Sequence, residues 1–382
     1  MPSPSYKTIT YQDQRFQLPA NALGGERNAP KLKPADELLL DWAYETAGTT
    51  ELEDIGIYHD RAGVLCTCVR AQKKRFVSNS SGHYSSLKSS YHKNGLGPVP
   101  DLVSPLEVMP SGIRINILQV PKSLELFELY LRHLAANAGP ETHLACVFQT
   151  RYFTPKLVEI AGKYATEVKQ SRAYKKARLL LLSDFLPVAA TAVPLTEVSY
   201  GDISYQQYPG VFSANHIDYA TQFMLDEWAT NERLTEIDAP LEILDVGCGN
   251  GIIGDYLLGR YPKARLTATD ISQVAVASTR LNLANHGYQD RAKVMIAASI
   301  SEIEQPKRFD LIVTNPPFHN EYQTDISVSL DLFLQASERL SASGYLVVVA
   351  NRHLNYLTHL RRYFDEVITV AENDKFTVYR SR

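Results

Sequence analysis

Asn315, Pro316, Pro317 and Phe318 stand at the end of an apolar run, Phe309-Asp310-Leu311-Ile312-Val313, and their types in that order suit one task. An amide oxygen on Asn315 and the backbone carbonyl of Pro316 can accept both N–H bonds of a planar group that carries an NH2. The prolines fix the two acceptors, and Phe318 can stack on the face of the group. An exocyclic amine on such a ring is a poor nucleophile because its lone pair is delocalised. Two acceptors placed in this way draw the nitrogen towards tetrahedral geometry and aim the lone pair at an electrophilic methyl group. No strong base is required before attack, and His319, next after Phe318, reads as structural or RNA-facing. A bare Asn-Pro-Pro-aromatic run is also an ordinary turn after a strand. A glycine-rich segment upstream separates the two readings.

That segment is Asp245-Val246-Gly247-Cys248-Gly249-Asn250-Gly251, placed where a strand gives way to a helix. Glycine there lets backbone approach a ligand, and the helix N-terminus offers free N–H groups to an anion. A dinucleotide fingerprint starting at Gly247 requires glycine at 252, where Ile252 stands. The loop is Gly-x-Gly-x-Gly, and the Asp245 carboxylate before it repels a pyrophosphate but can accept from an amino-acid ammonium. S-adenosyl-L-methionine carries that ammonium, with a carboxylate that suits the helix N-terminus. Gly247, Gly249, Asn250 and Gly251 then form its loop. Asp270, at the end of the next strand, suits its ribose hydroxyls, and Ile271 packs on its adenine. Each member has a structural alternative: a glycine turn permits close packing, and Asp270 could cap the helix that follows. Loop, acid and Asn-Pro-Pro-Phe in this order on successive strands favour the cofactor site.

The elements that must position these residues alternate. Apolar strands at 241–246, 265–270, 293–296, 309–313 and 345–350 are separated by helical patterns, one from Ile252 and one capped by Ser272. Continuous apolar strands between helices indicate a parallel sheet covered on both faces. The first half repeats the order without the chemistry. Ile55 to Gly63 falls on the glycine segment at an offset of 188, with His59 and Arg61 at the places of Gly247 and Gly249. Arg75 to Ser80 falls on Arg265 to Asp270, which sets Ser80 against the acid, and Ile115 to Pro121 falls on Leu311 to Pro317. The expected fold is two tandem Rossmann-like α/β methyltransferase domains, a degenerate one at 35–190 and a catalytic one at 195–382. A flexible lead-in at 1–34 precedes them, and Pro187 to Pro194 links them. After the linker, Val198 to Tyr205 alternates like a hairpin, and Gly210-Val211-Phe212-Ser213 leads into a helix through Trp228.

Composition is ordinary for a soluble chain: 45% hydrophobic, 21% charged and a net charge of −3 over 382 residues. No run approaches the ~18 apolar residues of a membrane helix, and Met1-Pro2-Ser3-Pro4 lacks the regions of a signal peptide, so a cytoplasmic location is expected. The cysteines at 66, 68, 146 and 248 have neither Cys-x-x-Cys nor zinc spacing, which argues for reduced thiols and no metal. Charge divides unevenly: residues 1–200 hold 23 Lys and Arg against 19 Asp and Glu, the remainder 16 against 23. A tract free of acids contains Arg70, Lys73, Lys74 and Arg75, and a second contains Lys175 and Lys176. Each alone is commonly a solvated surface; together they can follow a phosphate backbone.

Gly210-Val211-Phe212-Ser213, the Asp245 to Gly251 loop, Asn315-Pro316-Pro317-Phe318-His319 and Val349-Ala350-Asn351-Arg352-His353-Leu354 together resemble the bacterial ribosomal RNA guanine-N2 methyltransferases. In that family a degenerate methyltransferase-like domain precedes an active one. The run Ala350 to Tyr356 and Asn373 to Val378 are more similar to the large-subunit type. The resemblance implies a guanosine in 23S ribosomal RNA as substrate, S-adenosyl-L-methionine as cofactor and Arg352 as a further RNA contact. The family usually has Asn near position 298 to meet the adenine edge; Ala297-Ala298-Ser299 stands here, which leaves Ser299 or backbone groups for that contact. Alternatives to weigh are a small-subunit (16S) enzyme, methylation of a protein glutamine amide, and a non-catalytic RNA-binding assembly factor.

Overall fold

The structure is a computed structural model that describes residues 5–26, 29–189, 193–235, 242–304, 308–316 and 326–382. Pro317, Phe318 and His319 lie outside the described residues. The chain divides into two compact units, residues 2–193 and 194–382. No helix among the described residues is long and apolar enough to cross a membrane.

The first unit begins with two hairpins, β1 (Tyr6–Tyr11) with β2 (Gln14–Pro19) and β3 (Gly24–Glu26) with β4 (Ala29–Lys31). Helix α1 (Pro34–Ala47) follows, then β5 (Leu52–Tyr58), α2 (Val64–Cys68), β6 (Ala71–Val77), α3 (Ser81–Asn94) and β7 (Leu102–Val103). The unit closes with β8 (Ile115–Gln119), α4 (Leu124–Ala136), β9 (His143–Gln149), α5 (Pro155–Gly162), β10 (Ala165–Gln170) and β11 (Ala177–Phe185). The expectation of a flexible lead-in over 1–34 is corrected here. Ile9, Phe16 and Leu18 of the first hairpin are buried in the same core as Ile55, Ile57, Ile115 and Ile117. The turn is made by Gln12 and Asp13, both at positive φ, so it lacks the Asn-Gly signal that announces a tight hairpin.

The second unit has the hairpin expected from its alternation, β12 (Thr196–Tyr200) with β13 (Ile203–Gln207), and then α6 (Tyr219–Thr230) and the short α7 (Glu232–Thr235). There follow β14 (Glu242–Val246), α8 (Ile252–Arg260), β15 (Arg265–Asp270), α9 (Gln273–Asn285), β16 (Ala292–Ile296) and β17 (Phe309–Thr314). Helix α10 (Ser327–Arg339), β18 (Leu340–Asn351), α11 (Tyr356–Leu360), β19 (Val367–Glu372) and β20 (Phe376–Ser381) complete it. Alternation along each strand feeds two cores. Ile243, Leu311, Val313, Val347 and Val349 pack with α6 and α8 on one face. Leu244, Ile312, Leu346 and Val348 pack with α10 and α11 on the other. All nine are fully buried, each worth about 1.5–3 kcal/mol of transfer free energy.

The sheets share one topology. The order is β7-β6-β5-β8-β9-β11-β10 in the first unit and β16-β15-β14-β17-β18-β20-β19 in the second. In both, the first four pairings are parallel and the last two antiparallel, so that the sixth strand alone runs against the rest. Register pairs Tyr58 with Val77 in one unit and Val246 with Thr269 in the other, an offset of 192 on the second strand. The sequence alignment of Ser80 with Asp270 is therefore corrected: Ser78 takes the place of the acid, and Ser80 matches Ser272. The cause is helix length, 5 residues in α2 against 9 in α8.

Candidate active site

The glycine segment leaves β14 and enters α8. Gly247, Gly249 and Gly251 have φ of 77°, 57° and 89°, a region where side chains are strained. Among the described residues a Cβ on Gly247 or Gly249 would meet nothing within 4 Å, whereas on Gly251 it would lie 3.0 Å from Thr279 Cγ2. Two glycines thus face open space and the third packs against α9. Gly247 and Cys248 both donate to Thr269 O, at 2.8 and 3.0 Å, which ties the loop to β15.

Asp270 holds the loop from the other side. Its Oδ2 accepts from Gly249 N at 3.1 Å and its Oδ1 from Ser272 N at 2.8 Å. Burial raises its pKa, opposed by the backbone N–H groups that it accepts. Ile271, next in the chain, is an apolar side chain left 42% exposed at the strand end. Asn250 is bonded within the unit: its Nδ2 donates to Gln207 Oε1 at 3.2 Å, its Oδ1 accepts from Ile252 N, and its carbonyl accepts from Asn282. Ser299 bonds Ser301 through its hydroxyl at 2.6 Å, and Ala297 N donates to Asp270 O, so the loop after β16 lies beside the acid.

Asp245 is fully enclosed beneath the loop, and among the described residues neither carboxylate oxygen has a hydrogen-bond partner. Burial, with Asp270 adding to it and only the nearby Gly254 backbone N–H opposing, pushes its pKa up to about 7. A buried carboxylate needs a proton or a cation. The enclosure differs from an acid lying open on the loop, but the chemistry fits an ammonium group that displaces the proton. Open space over Gly247 and Gly249, the unpartnered carboxylate of Asp245 and the exposed Ile271 together fit S-adenosyl-L-methionine.

Asn315 follows β17, whose last residue, Thr314, donates to Val246 O at 2.7 Å. Its Nδ2 donates to Asp218 Oδ2 at 2.8 Å and Thr221 Oγ1 at 2.9 Å. Its Oδ1 is buried and has no hydrogen-bond partner among the described residues. Pro316 is buried beside it. Asp218 and Thr221 carried no sequence signal beyond an acid before a helix, and the reading of the motifs missed both.

The first unit fills the same positions with its own side chains. Ile57 stands at the register of Asp245, and His59 takes the positive φ of Gly247 at 56°. The Asp60 carboxylate accepts from Val64 N at 3.0 Å and Cys66 N at 2.9 Å, capping the helix where a ligand anion would sit. Gln119 holds the place of Asn315. Its Nε2 donates to Asp36 Oδ1 at 2.6 Å, and its Oε1 accepts from Arg61 N at 3.2 Å.

The basic residues divide. Lys74 donates to Cys66 O at 2.8 Å, lies over Tyr91 and has its pKa lowered by burial. Arg70 donates to Gln12 O and Arg75 pairs with Asp54 at 3.7 Å, so these three hold the unit together. Lys73, Lys175 and Lys176 are exposed. Lys175 stands on Tyr174, with Glu37 3.8 Å away. In the second unit Arg352 pairs with Glu372 at 3.0 Å. The four cysteines are buried free thiols.

Comparison with known proteins follows the same division. The family described as "Methyltransferase small domain" matches residues 202–380, so the second unit belongs with the methyltransferases. The family described as "RLMG N-terminal domain" matches residues 24–186. A protein named Ribosomal RNA large subunit methyltransferase G from Klebsiella pneumoniae subsp. pneumoniae is 31% identical over 356 residues, covering 91% of this chain and 90% of its own. One of the same name from Psychromonas ingrahamii is 29% identical, covering 91% of both. The chain belongs to the ribosomal RNA large subunit methyltransferase G family. Among solved structures, the T. thermophilus 16S rRNA N2 G1207 methyltransferase in complex with AdoMet and guanosine shares the fold over 99% of this chain and 98% of its own, with a TM-score of 0.75 at 19% identity.

Proposed function

We propose that this protein methylates the exocyclic N2 amine of a guanosine in 23S ribosomal RNA, with S-adenosyl-L-methionine as cofactor, in the cytoplasm. Ribosomal RNA as substrate class agrees with the family. The observation that carries the chemistry is the contrast between Asn315 and Gln119 at one register position. In the first unit the amide oxygen is closed by Arg61; in the second it is buried, oriented and without a hydrogen-bond partner among the described residues. An NH2 on a flipped-out or unpaired base supplies that donor.

When bound, S-adenosyl-L-methionine supplies a methyl group on a positively charged sulfur: the N–C bond forms as the S–C bond breaks, and the electron pair stays on sulfur. Asn315 Oδ1 orients the amine, and the Pro316 carbonyl is the second acceptor. The proton leaves the amine to solvent after transfer. Asp270 and Ile271 are proposed for the ribose and adenine, and Asp245 for the ammonium. Phe318 is proposed to stack on the base. Lys73, Lys175 and Lys176, exposed cations of the first unit's two tracts, are proposed for the phosphate backbone.

The test is mass spectrometry of 23S ribosomal RNA from cells lacking the protein. One N2-methylguanosine is expected to disappear and to return with the wild-type gene but not with Asn315→Ala. Unchanged methylation overturns the reading. Return of the methyl group with Asn315→Ala would remove the proposed chemistry.

A further inference from the structure

We infer that Asp218 and Thr221 are positioning residues for methyl transfer: together they take both hydrogens of the Asn315 amide and hold its oxygen towards the substrate amine. The inference rests on the reading of Asn315 given above. Nδ2 lies 2.8 Å from Asp218 Oδ2 and 2.9 Å from Thr221 Oγ1. A carboxylate accepts and cannot donate, so chemistry alone decides which end of the amide faces Asp218. Turned by half a rotation, Asn315 would point NH2 at NH2, donor against donor, and leave the substrate amine only the Pro316 carbonyl as an acceptor.

Asp218 is itself held in place. Its Oδ2 also accepts from Ala220 N at 3.0 Å and Thr221 N at 3.1 Å, as the N-cap of α6. The carboxylate cannot swing away without uncapping the helix, and the same first turn carries the Thr221 hydroxyl. A charged acceptor on one end of an amide polarises it and strengthens its oxygen as an acceptor at the other end. The first unit has a related contact, Gln119 Nε2 on Asp36 of α1. There the oxygen is closed by Arg61, so the clamp serves packing alone.

Single-turnover methyl transfer to deproteinised 23S ribosomal RNA from cells lacking the protein tests this, with S-adenosyl-L-methionine affinity and Tm measured on the same full-length variants. Thr221→Val keeps the shape and removes one acceptor; transfer is expected to slow about tenfold, with affinity and Tm unchanged. Thr221→Ser restores the hydroxyl and is expected to restore the rate. Asp218→Asn keeps a capping oxygen but loses the charge, and is expected to slow transfer about 10- to 100-fold. Wild-type rates in both Thr221→Val and Asp218→Asn overturn the positioning role. So does a Thr221→Ser as slow as Thr221→Val, or a rate loss that tracks lost affinity and Tm. If Asn315→Ala is inactive while Thr221→Val and Asp218→Asn are fully active, only the positioning role falls. If Asn315→Ala transfers normally, the reading beneath it falls as well.

Discussion

At Asp245 a carboxylate is fully buried with no countercharge beside it among the described residues, and that fixes how the site should respond to pH. The unfolded chain releases this proton near 3.8, whereas the folded chain holds it to about 7. Between those values the fold favours the protonated form, so this group's contribution to stability declines as pH rises through the window. Asn imitates the protonated acid. Asp245→Asn is therefore expected to raise the Tm of the cofactor-free protein most at pH 8 and by less than half as much at pH 5, while weakening S-adenosyl-L-methionine binding at pH 8. Scanning fluorimetry and calorimetry at the two values check this; a Tm gain at pH 5 that vanishes at pH 8 would contradict the assignment. At this scale the motifs were legible in part. The sequence reading picked out Asp245, Asp270 and Asn315, since their residue types and order constrain the chemistry. It could not see that the Asn250 side chain bonds Gln207, nor that an N-cap acid, common before any helix, reaches across to Asn315.

Between β14 and α8 the three glycines carry different loads. Gly251→Ala would force a Cβ to 3.0 Å from Thr279 Cγ2 and 3.2 Å from its Cα, on top of a φ of 89°. Gly249→Ala meets open space and bears only the left-handed strain, about 1–2 kcal/mol. Gly251→Ala is expected to lower Tm clearly more than Gly249→Ala, and Gly249→Ala to lose cofactor affinity with a smaller Tm change. The reverse ranking in thermal unfolding would mean that the loop rests on α9 differently. In the first unit Gly63 plays the part of Gly251, at φ 70° against Leu87, which lies at the same 192 offset as Thr279. Strands and their order could be read from apolar runs. The register of β6 could not, because a helix shortened by four residues leaves no mark in a pattern that aligns by eye.

Across the molecule, the duplication was the most legible feature, and the RNA surface the least. Basic residues adjacent in sequence alternate across a strand, so Lys74 turns inward while Lys73 turns out. Lys175→Ala with Lys176→Ala is expected to weaken RNA binding and to reduce the slope of log affinity against log salt by about one to two, with Tm unchanged. Lys74→Ala is expected to lower Tm and leave that slope alone, because its Nζ serves Cys66 O. Filter binding over a salt series decides; equal salt slopes for wild type and the double variant would take the 175–176 tract out of the interface.

The first hairpin has a consequence for how the chain is made. Gln17 exchanges two backbone bonds with the Asn94 side chain, at 2.7 and 2.8 Å across 77 residues of sequence. Ile9, Phe16 and Leu18 join a core whose other walls are strands and helices translated later. On a translating ribosome the earliest part of this polypeptide emerges first and docks late. Its apolar face must wait, exposed, until α3 has left the exit tunnel.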